Sequence, residues 1–289
     1  MHIRMLDIQT LPVDVAPGKT SVLRHVAAPG PARAAILLMP AMGVAARYYD
    51  PLLMHLAQQG LSAAVMDLQG LGASSVRASR QQNFGYRELL EEDWPAALRA
   101  TRQVFGGVPL YLMGHSLGGQ LSCLFLGQQA AAPPVAGLIL CASGSVYYRR
   151  WASSWANSIK LLALTQLAAA ISAVLGYFPG HRLRFGGLGG QRMISDWAAQ
   201  ARTGNYSVQG SPLDWEGGLR KLTLPVLSIT LDSDTLAPDS AADHLNEKLT
   251  QAPLTRRRVP GTGLNHFSWV KQPGSVVPQI VQWLDNGHS

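Results

Sequence analysis

Five residues near the middle of the chain, Gly114-His115-Ser116-Leu117-Gly118, constrain its folding more than any others. They follow the apolar run Val108-Pro109-Leu110-Tyr111-Leu112-Met113 and lead into a stretch of helical character, Gly118 to Gln129. The pattern reads as a buried strand, an abrupt turn and a helix, with Ser116 at the tip of the turn. A serine there is forced into backbone angles that L-residues avoid. Side chains larger than hydrogen at the flanking positions would strike the strand and the helix. In a chain with 29 glycines a Gly-x-Ser-x-Gly match carries little by itself, so its weight depends on what surrounds it.

The surroundings alternate strands with helices. Ile3 to Leu11 and Ser21 to Ala27 read as two short strands joined by a Pro/Gly turn. Ala34 to Met39 and Leu61 to Met66 are unbroken apolar runs, as expected of strands covered on both faces. Between them Arg47 to Gln59 has helical spacing, with Tyr48, Leu52, Leu53 and Leu56 on one side, and it stops at Gly60. Tyr86 to Phe105 reads as a helix that Pro95 should bend. The strand Val135 to Cys141 follows the helix after Ser116, and there the alternation breaks. About seventy residues pass before the next clear strand, Val226 to Leu231. Helix Ser240 to Leu249, strand Arg257 to Pro260 and a last helix, Ser275 to Asp285, complete the chain. This order predicts an α/β fold, a mostly parallel sheet covered by helices on both faces. The predicted core comprises residues 1–141 and 216–289, with a helical cap, residues 142–215, inserted after the strand that ends near Cys141.

With 47% apolar and 14% charged residues, the 289-residue chain is suited to a large packed core. Cys123 and Cys141 fall in apolar elements and are expected to be reduced core thiols. The first twenty residues lack a long apolar stretch, so a cytoplasmic location is the expectation. The net charge of +7 is concentrated in residues 142–213, where Arg149, Arg150, Lys160, Arg182, Arg184, Arg192 and Arg202 face the single acid Asp196. Such a surface is either a solvated face or an attractor for an anionic headgroup or an acidic carrier protein. No nucleic-acid-binding motif accompanies it. The stretch 161–178 is apolar enough to raise a membrane question. It is expected to be a cap helix burying its apolar face over the site, with an interfacial helix as the alternative. Gly186-Gly187-Leu188-Gly189-Gly190 reads as a flexible hinge of the cap.

Strand, Gly-His-Ser-Leu-Gly turn and helix in this α/β context resemble the nucleophile elbow of the α/β-hydrolase superfamily. The resemblance implies a serine nucleophile, Ser116, followed in chain order by an acid and a histidine. His266, in the glycine-rich loop Gly261-Thr262-Gly263-Leu264-Asn265-His266-Phe267 past the last strand, is the expected general base. His244 lies inside a helix, His181 in the cap and His288 in the tail. The expected acid is Asp234, in Leu231-Asp232-Ser233-Asp234-Thr235-Leu236-Ala237-Pro238 after the strand Val226 to Leu231, with Asp232 as its rival. Two backbone donors should form an oxyanion hole. One is Leu117. The other is Met42, or alternatively Ala41, in the loop Pro40-Ala41-Met42-Gly43. His115 is expected to point away from the site.

Within the superfamily the chain is similar to lysophospholipase-like and serine-aminopeptidase-like (S33-type) esterases. The matching pieces are Asp67-Leu68-Gln69-Gly70-Leu71-Gly72-Ala73-Ser74, Gly114 to Gly119, Asp234 to Pro238 and Gly263 to His266. Two departures stand out. Pro40-Ala41 replaces the His-Gly common at the oxyanion loop, and Gln69 occupies the place of an arginine. The resemblance implies a serine hydrolase acting on a small-molecule ester, thioester or lactone, with no cofactor and no metal. An acyltransferase or cyclising thioesterase using the same triad is the alternative, and a non-enzymatic ligand-binding member of the fold is a third reading. The cap, through its apolar helix and Trp151, Trp155 and Trp197, is expected to form an apolar acyl pocket. Its lack of acids disfavours an aminopeptidase, which must hold an ammonium group.

Overall fold

Alternate residues of the central strands enter different cores, which is why those strands are apolar without a break. Leu37 and Met39 face one core with Trp94, Leu121 and Leu124, while Ile36 and Leu38 face a second core with Leu52, Leu56, Trp269 and Trp283. A computed structural model describes residues 6–151, 154–183, 185–261 and 263–287 of the chain. Arg184 of the basic cap, Thr262 of the histidine loop and His288 of the tail lie outside the described residues, as do Ile3, Arg4 and Met5 of the first predicted strand.

The main sheet has eight strands. They are β1 (Gln9–Ala16), β2 (Lys19–Val26), β3 (Ala34–Met39), β4 (Leu61–Met66), β5 (Leu110–His115), β6 (Gly137–Cys141) and, after a short ribbon of β7 (Tyr177–Pro179) and β8 (Leu188–Gly190), β9 (Val226–Leu231) and β10 (Leu254–Val259). Their order is β1-β2-β4-β3-β5-β6-β9-β10, and β2 alone runs against the others. From β3 the chain moves outward to β4 and then returns to β5 on the other side. The crevice beyond the carboxyl ends of β3 and β5 is therefore a switch point, where sheets of this kind bind ligands. The helices Trp94–Val104 and Leu117–Gln128 supply apolar side chains to one core, and the helices Asp50–Gln58 and Val277–Asp285 to the other. The mostly parallel sheet covered on both faces is the architecture that the alternation predicts.

Several local expectations change. The first strand begins at Gln9 and continues to Ala16, with Pro12 tolerated because β1 is an edge strand. The predicted helix Arg47 to Gln59 opens as a 3₁₀ turn, Ala46–Tyr49, before becoming α-helical at Asp50. That tighter turn buries Tyr49 and leaves Tyr48 half-buried, the reverse of the regular-helix expectation. Pro95 does not bend a continuous helix. A π-helical turn, Leu89–Asp93, precedes it and places it in the first turn of Trp94–Val104, where a missing N–H is tolerated.

The insertion after β6 holds two long helices, Trp155–Leu175 and Gln191–Thr203, packed against each other. The first contradicts the expectation that it buries an apolar face. Its buried residues are Ser158, Thr165, Ala168 and Ser172, while Trp155, Ile159, Leu164, Leu167 and Val174 face outward. The glycines at 186–190 are not a loose hinge either. Leu188–Gly190 pairs with β7, and a side chain on Gly190 would strike the Phe84 carbonyl. Glycine is needed there for close approach of backbones.

Candidate active site

The elbow has the geometry its sequence dictates. Ser116 sits at φ 54° and ψ −120°, a left-handed conformation forced on a non-glycine residue. A Cβ on Gly118 would strike the Met39 carbonyl, and one on Gly114 would strike Gly119. The turn is thus closed by glycines on both sides, with Gly119 as a further member. The Ser116 N–H reaches the Cys141 carbonyl at 3.3 Å, tying the tip to the end of β6. Cys123 and Cys141 are free and buried, and burial pushes the Cys123 thiol up to about 12.

His266 and Asp234 meet at 2.8 Å, His266 Nδ1 to Asp234 Oδ2, and both are buried. The other carboxylate oxygen, Oδ1, accepts the N–H groups of Leu236 at 2.8 Å and Ala237 at 2.9 Å. An acceptor held this way draws the imidazole proton to Nδ1 and leaves the lone pair on Nε2. Asp232, the rival acid, faces elsewhere. It accepts the Gly261 N–H at 2.8 Å and pairs with Arg258 at 2.7 Å. His244 is also engaged elsewhere, with Ser145 Oγ at 2.8 Å. Ser116 Oγ and His266 are not hydrogen-bonded to each other in this conformation.

The two candidate oxyanion donors differ from Ala41. The Ala41 N–H is already bonded, at 2.9 Å, to the Tyr49 hydroxyl. The N–H groups of Met42 and Leu117 have no partner among the described residues. Gly43 brings this loop against the insertion, since a side chain on it would strike the Gly186 backbone.

His115, expected to point away, does so in a specific way. Its Nε2 lies 2.8 Å from the His266 carbonyl oxygen and its Nδ1 lies 2.9 Å from the Tyr49 hydroxyl. A carbonyl only accepts, so Nε2 carries the proton and Nδ1 accepts from Tyr49. Burial, with His266 beside it, holds His115 well below the usual imidazole range and therefore neutral. Trp269 Nε1 donates to the same His266 carbonyl at 3.0 Å. The result is a chain of bonds from Ala41 through Tyr49 and His115 to the backbone of His266. Tyr49 carried no signal in the sequence beyond its neighbourhood of apolar residues.

The glycine-rich loop after β4 is also built around its acid. Asp67 accepts the Ala46 N–H at 2.7 Å and the Ala73 N–H at 3.0 Å, and a side chain on Gly72 would strike its carboxylate. Gln69 is buried and reaches Asp93 at 2.8 Å and Glu92 at 3.0 Å. Among the described residues, no three His, Cys, Asp or Glu side chains are grouped to hold a metal ion.

Beside Met42 and Leu117 lies a narrow apolar cleft lined by Leu71, Phe84, Trp94, Leu188 and Met193, with room on the scale of one water molecule. The tryptophans expected to form an acyl pocket are not in it. Trp155 is exposed, Trp197 is buried against Phe185, and Trp151 donates to the Leu236 carbonyl at 3.1 Å.

Comparison with known proteins agrees with this fold. The model of a hydrolase family, Hydrolase_4, described as serine aminopeptidase, S33, matches residues 30–184, more than half of the chain. No curated protein matches the sequence. Among solved structures, a putative lipase from Acinetobacter baumannii is similar at a TM-score of 0.63 and 17% identity, covering 96% of this chain and 91% of that one. A thermophilic esterase from Thermogutta terrifontis is similar at 0.63 and 17%, covering 97% and 100%. The thioesterase domain of a curacin biosynthetic pathway is similar at 0.59 and 17%, covering 96% and 99%.

Proposed function

The chain belongs to the Hydrolase_4 family, described as serine aminopeptidase, S33, and has the α/β-hydrolase fold; on that premise we propose that it is a serine hydrolase cleaving an ester, thioester or lactone through an acyl-enzyme. The observation that carries the reading is the 2.8 Å bond from His266 Nδ1 to Asp234. It leaves Nε2 as a base on the same sheet edge as a serine strained into an elbow. Ser116 Oγ attacks the acyl carbonyl as His266 Nε2 takes its proton. The N–H groups of Met42 and Leu117 hold the negative oxygen of the tetrahedral intermediate. His266 then protonates the departing alcohol or thiol, and water releases the acyl group by the same steps in reverse order. Esterase, lipase and thioesterase neighbours support an acyl substrate.

Peptide trimming from an amino terminus fits less well. The sole acid of residues 142–213, Asp196, is buried and accepts the N–H groups of Tyr86 at 3.0 Å and Gln209 at 3.1 Å. No other carboxylate lies within residues 142–213 to hold a substrate ammonium group.

The test is turnover of a p-nitrophenyl acyl ester by Ser116→Ala. The expected loss is about 10⁴-fold or more, with the circular dichroism spectrum unchanged. Full retained activity would sink the reading. Product analysis with an amine or alcohol present separates hydrolysis from acyl transfer, since only transfer yields a new amide or ester.

A further inference from the structure

The helix Trp155–Leu175 is built inside out. Ser158, Thr165 and Ser172, at heptad spacing, lie on its buried side. Each hydroxyl donates to a carbonyl of the same chain, those of Ser154, Leu162 and Ala169, so this polar stripe is buried without unmet groups. The opposite side exposes Trp155 (79%), Leu164 (54%), Leu167 (56%) and Val174 (77%), together with Ile159 and the small Ala156, Ala163, Ala170 and Ala173. Its one charge is Lys160, whose long stem lets the ammonium reach past an apolar layer. Twenty-one residues make a stripe about 30 Å long, larger than the apolar patches that monomers leave in water.

The surroundings of the stripe select its occupant. Exposed arginines flank both ends in sequence. Arg149 precedes the helix, Arg182 follows it, and Arg80 donates to the Leu175 carbonyl at its carboxyl end. No acid offsets them within residues 142–213, because Asp196 is buried. A second copy of the chain would bring like charges together. An acidic protein would satisfy the arginines but not an uninterrupted apolar centre. A sheet of anionic headgroups over hydrocarbon satisfies both. The helix does not span, because its polar side is packed on Gln191–Thr203 and Gln166 donates to the Ala198 carbonyl at 2.9 Å.

We infer that the outer face of helix Trp155–Leu175, with its flanking arginines, seats the protein on the surface of an anionic lipid bilayer. The helix lies in the interface plane, with Trp155, Leu164, Leu167 and Val174 among the acyl chains and Lys160, Arg149 and Arg182 at the headgroups. Nothing in this inference depends on the chemistry proposed for Ser116.

Flotation of the full-length protein with vesicles of phosphatidylcholine, alone or mixed with phosphatidylglycerol, tests it. The wild type is expected to float with the mixed vesicles and much less with phosphatidylcholine alone. The double substitution Leu164→Glu/Leu167→Glu should weaken binding at least about tenfold, and Arg149→Gln/Arg182→Gln about fivefold per charge removed. Circular dichroism melting verifies that both variants fold, as expected for substitutions at exposed positions. Bound protein should also show a blue shift in emission that Trp155→Phe removes. Three results would each overturn the inference. They are a wild type that fails to float, a Glu variant that floats like the wild type, and a wild-type dimer in sedimentation that the Glu substitutions dissociate while vesicles are ignored.

Discussion

His115 occupies the variable position beside the strained serine, yet both its ring nitrogens are committed. Through Nε2 it holds the carbonyl of His266, and through Nδ1 it is held by Tyr49, whose oxygen receives the Ala41 N–H. The backbone of the candidate base is therefore pinned to the elbow, while its side chain is pinned to Asp234. Such pinning matters because a proton-transfer group displaced by an ångström loses much of its effect. Tyr49→Phe keeps the ring and deletes one hydroxyl, leaving the Ala41 N–H and His115 Nδ1 buried without partners. The expected result is a loss of about 1–3 kcal/mol in urea unfolding for each group left unmet. Unchanged stability would mean that the hydroxyl is not holding the chain together. The candidate serine, base and acid could be picked out because elbows and post-strand loops have residue signatures. Tyr49 was not, because a 3₁₀ turn rather than a regular helix decides which of two adjacent tyrosines turns inward.

At the scale of elements, the loop after β3 and the insertion meet at a glycine seam. Gly43, at φ 75°, approaches Gly186 and Gly187 so closely that any side chain would collide with them. Gly43→Ala must therefore either distort the loop bearing Met42 or push the segment before β8 outward. The expected signature is faster proteolysis within residues 180–190 together with reduced ester turnover, the rest of the fold remaining intact. Proteolysis at the wild-type rate would show that the seam can relax. The central strands were readable from sequence because burial on both faces leaves only apolar choices. The orientation of helix Trp155–Leu175 was not, because a helix apolar nearly all round has no periodicity to say which side faces water. Only packing shows that its hydroxyls turn inward.

The whole molecule is basic, yet its least comfortable charge is an acid. Gln69 faces Asp93, so the buried carboxyl has amide hydrogen bonds but no guanidinium. Lys19 is 2.5 Å from Glu92 instead. Burial lifts Asp93 from an ordinary 3.8 up to about 7, against the lowering effect of those amide bonds. A carboxyl raised in the fold makes the folded chain hold more protons than the unfolded one between these two values. Stability from this group is therefore fully present below pH 3.8, declines as pH rises, and is gone above about pH 7. Asp196, raised by burial to about 6, acts in the same direction. His115 acts in the opposite one. Depressed by burial, it contributes above its ordinary 6.5 and loses that contribution as pH falls. The two opposing trends overlap below pH 6.5, so a single melting profile of the wild type cannot separate them. Asp93→Asn does, because it removes one titration and leaves those of Asp196 and His115 in place. The stability of the wild type minus that of Asp93→Asn, from urea unfolding across this interval, should fall steadily as pH rises and then level off near pH 7. A difference that stays flat, or that grows with pH, would show that Asp93 is ionised throughout and that Gln69 solvates it as well as an arginine would.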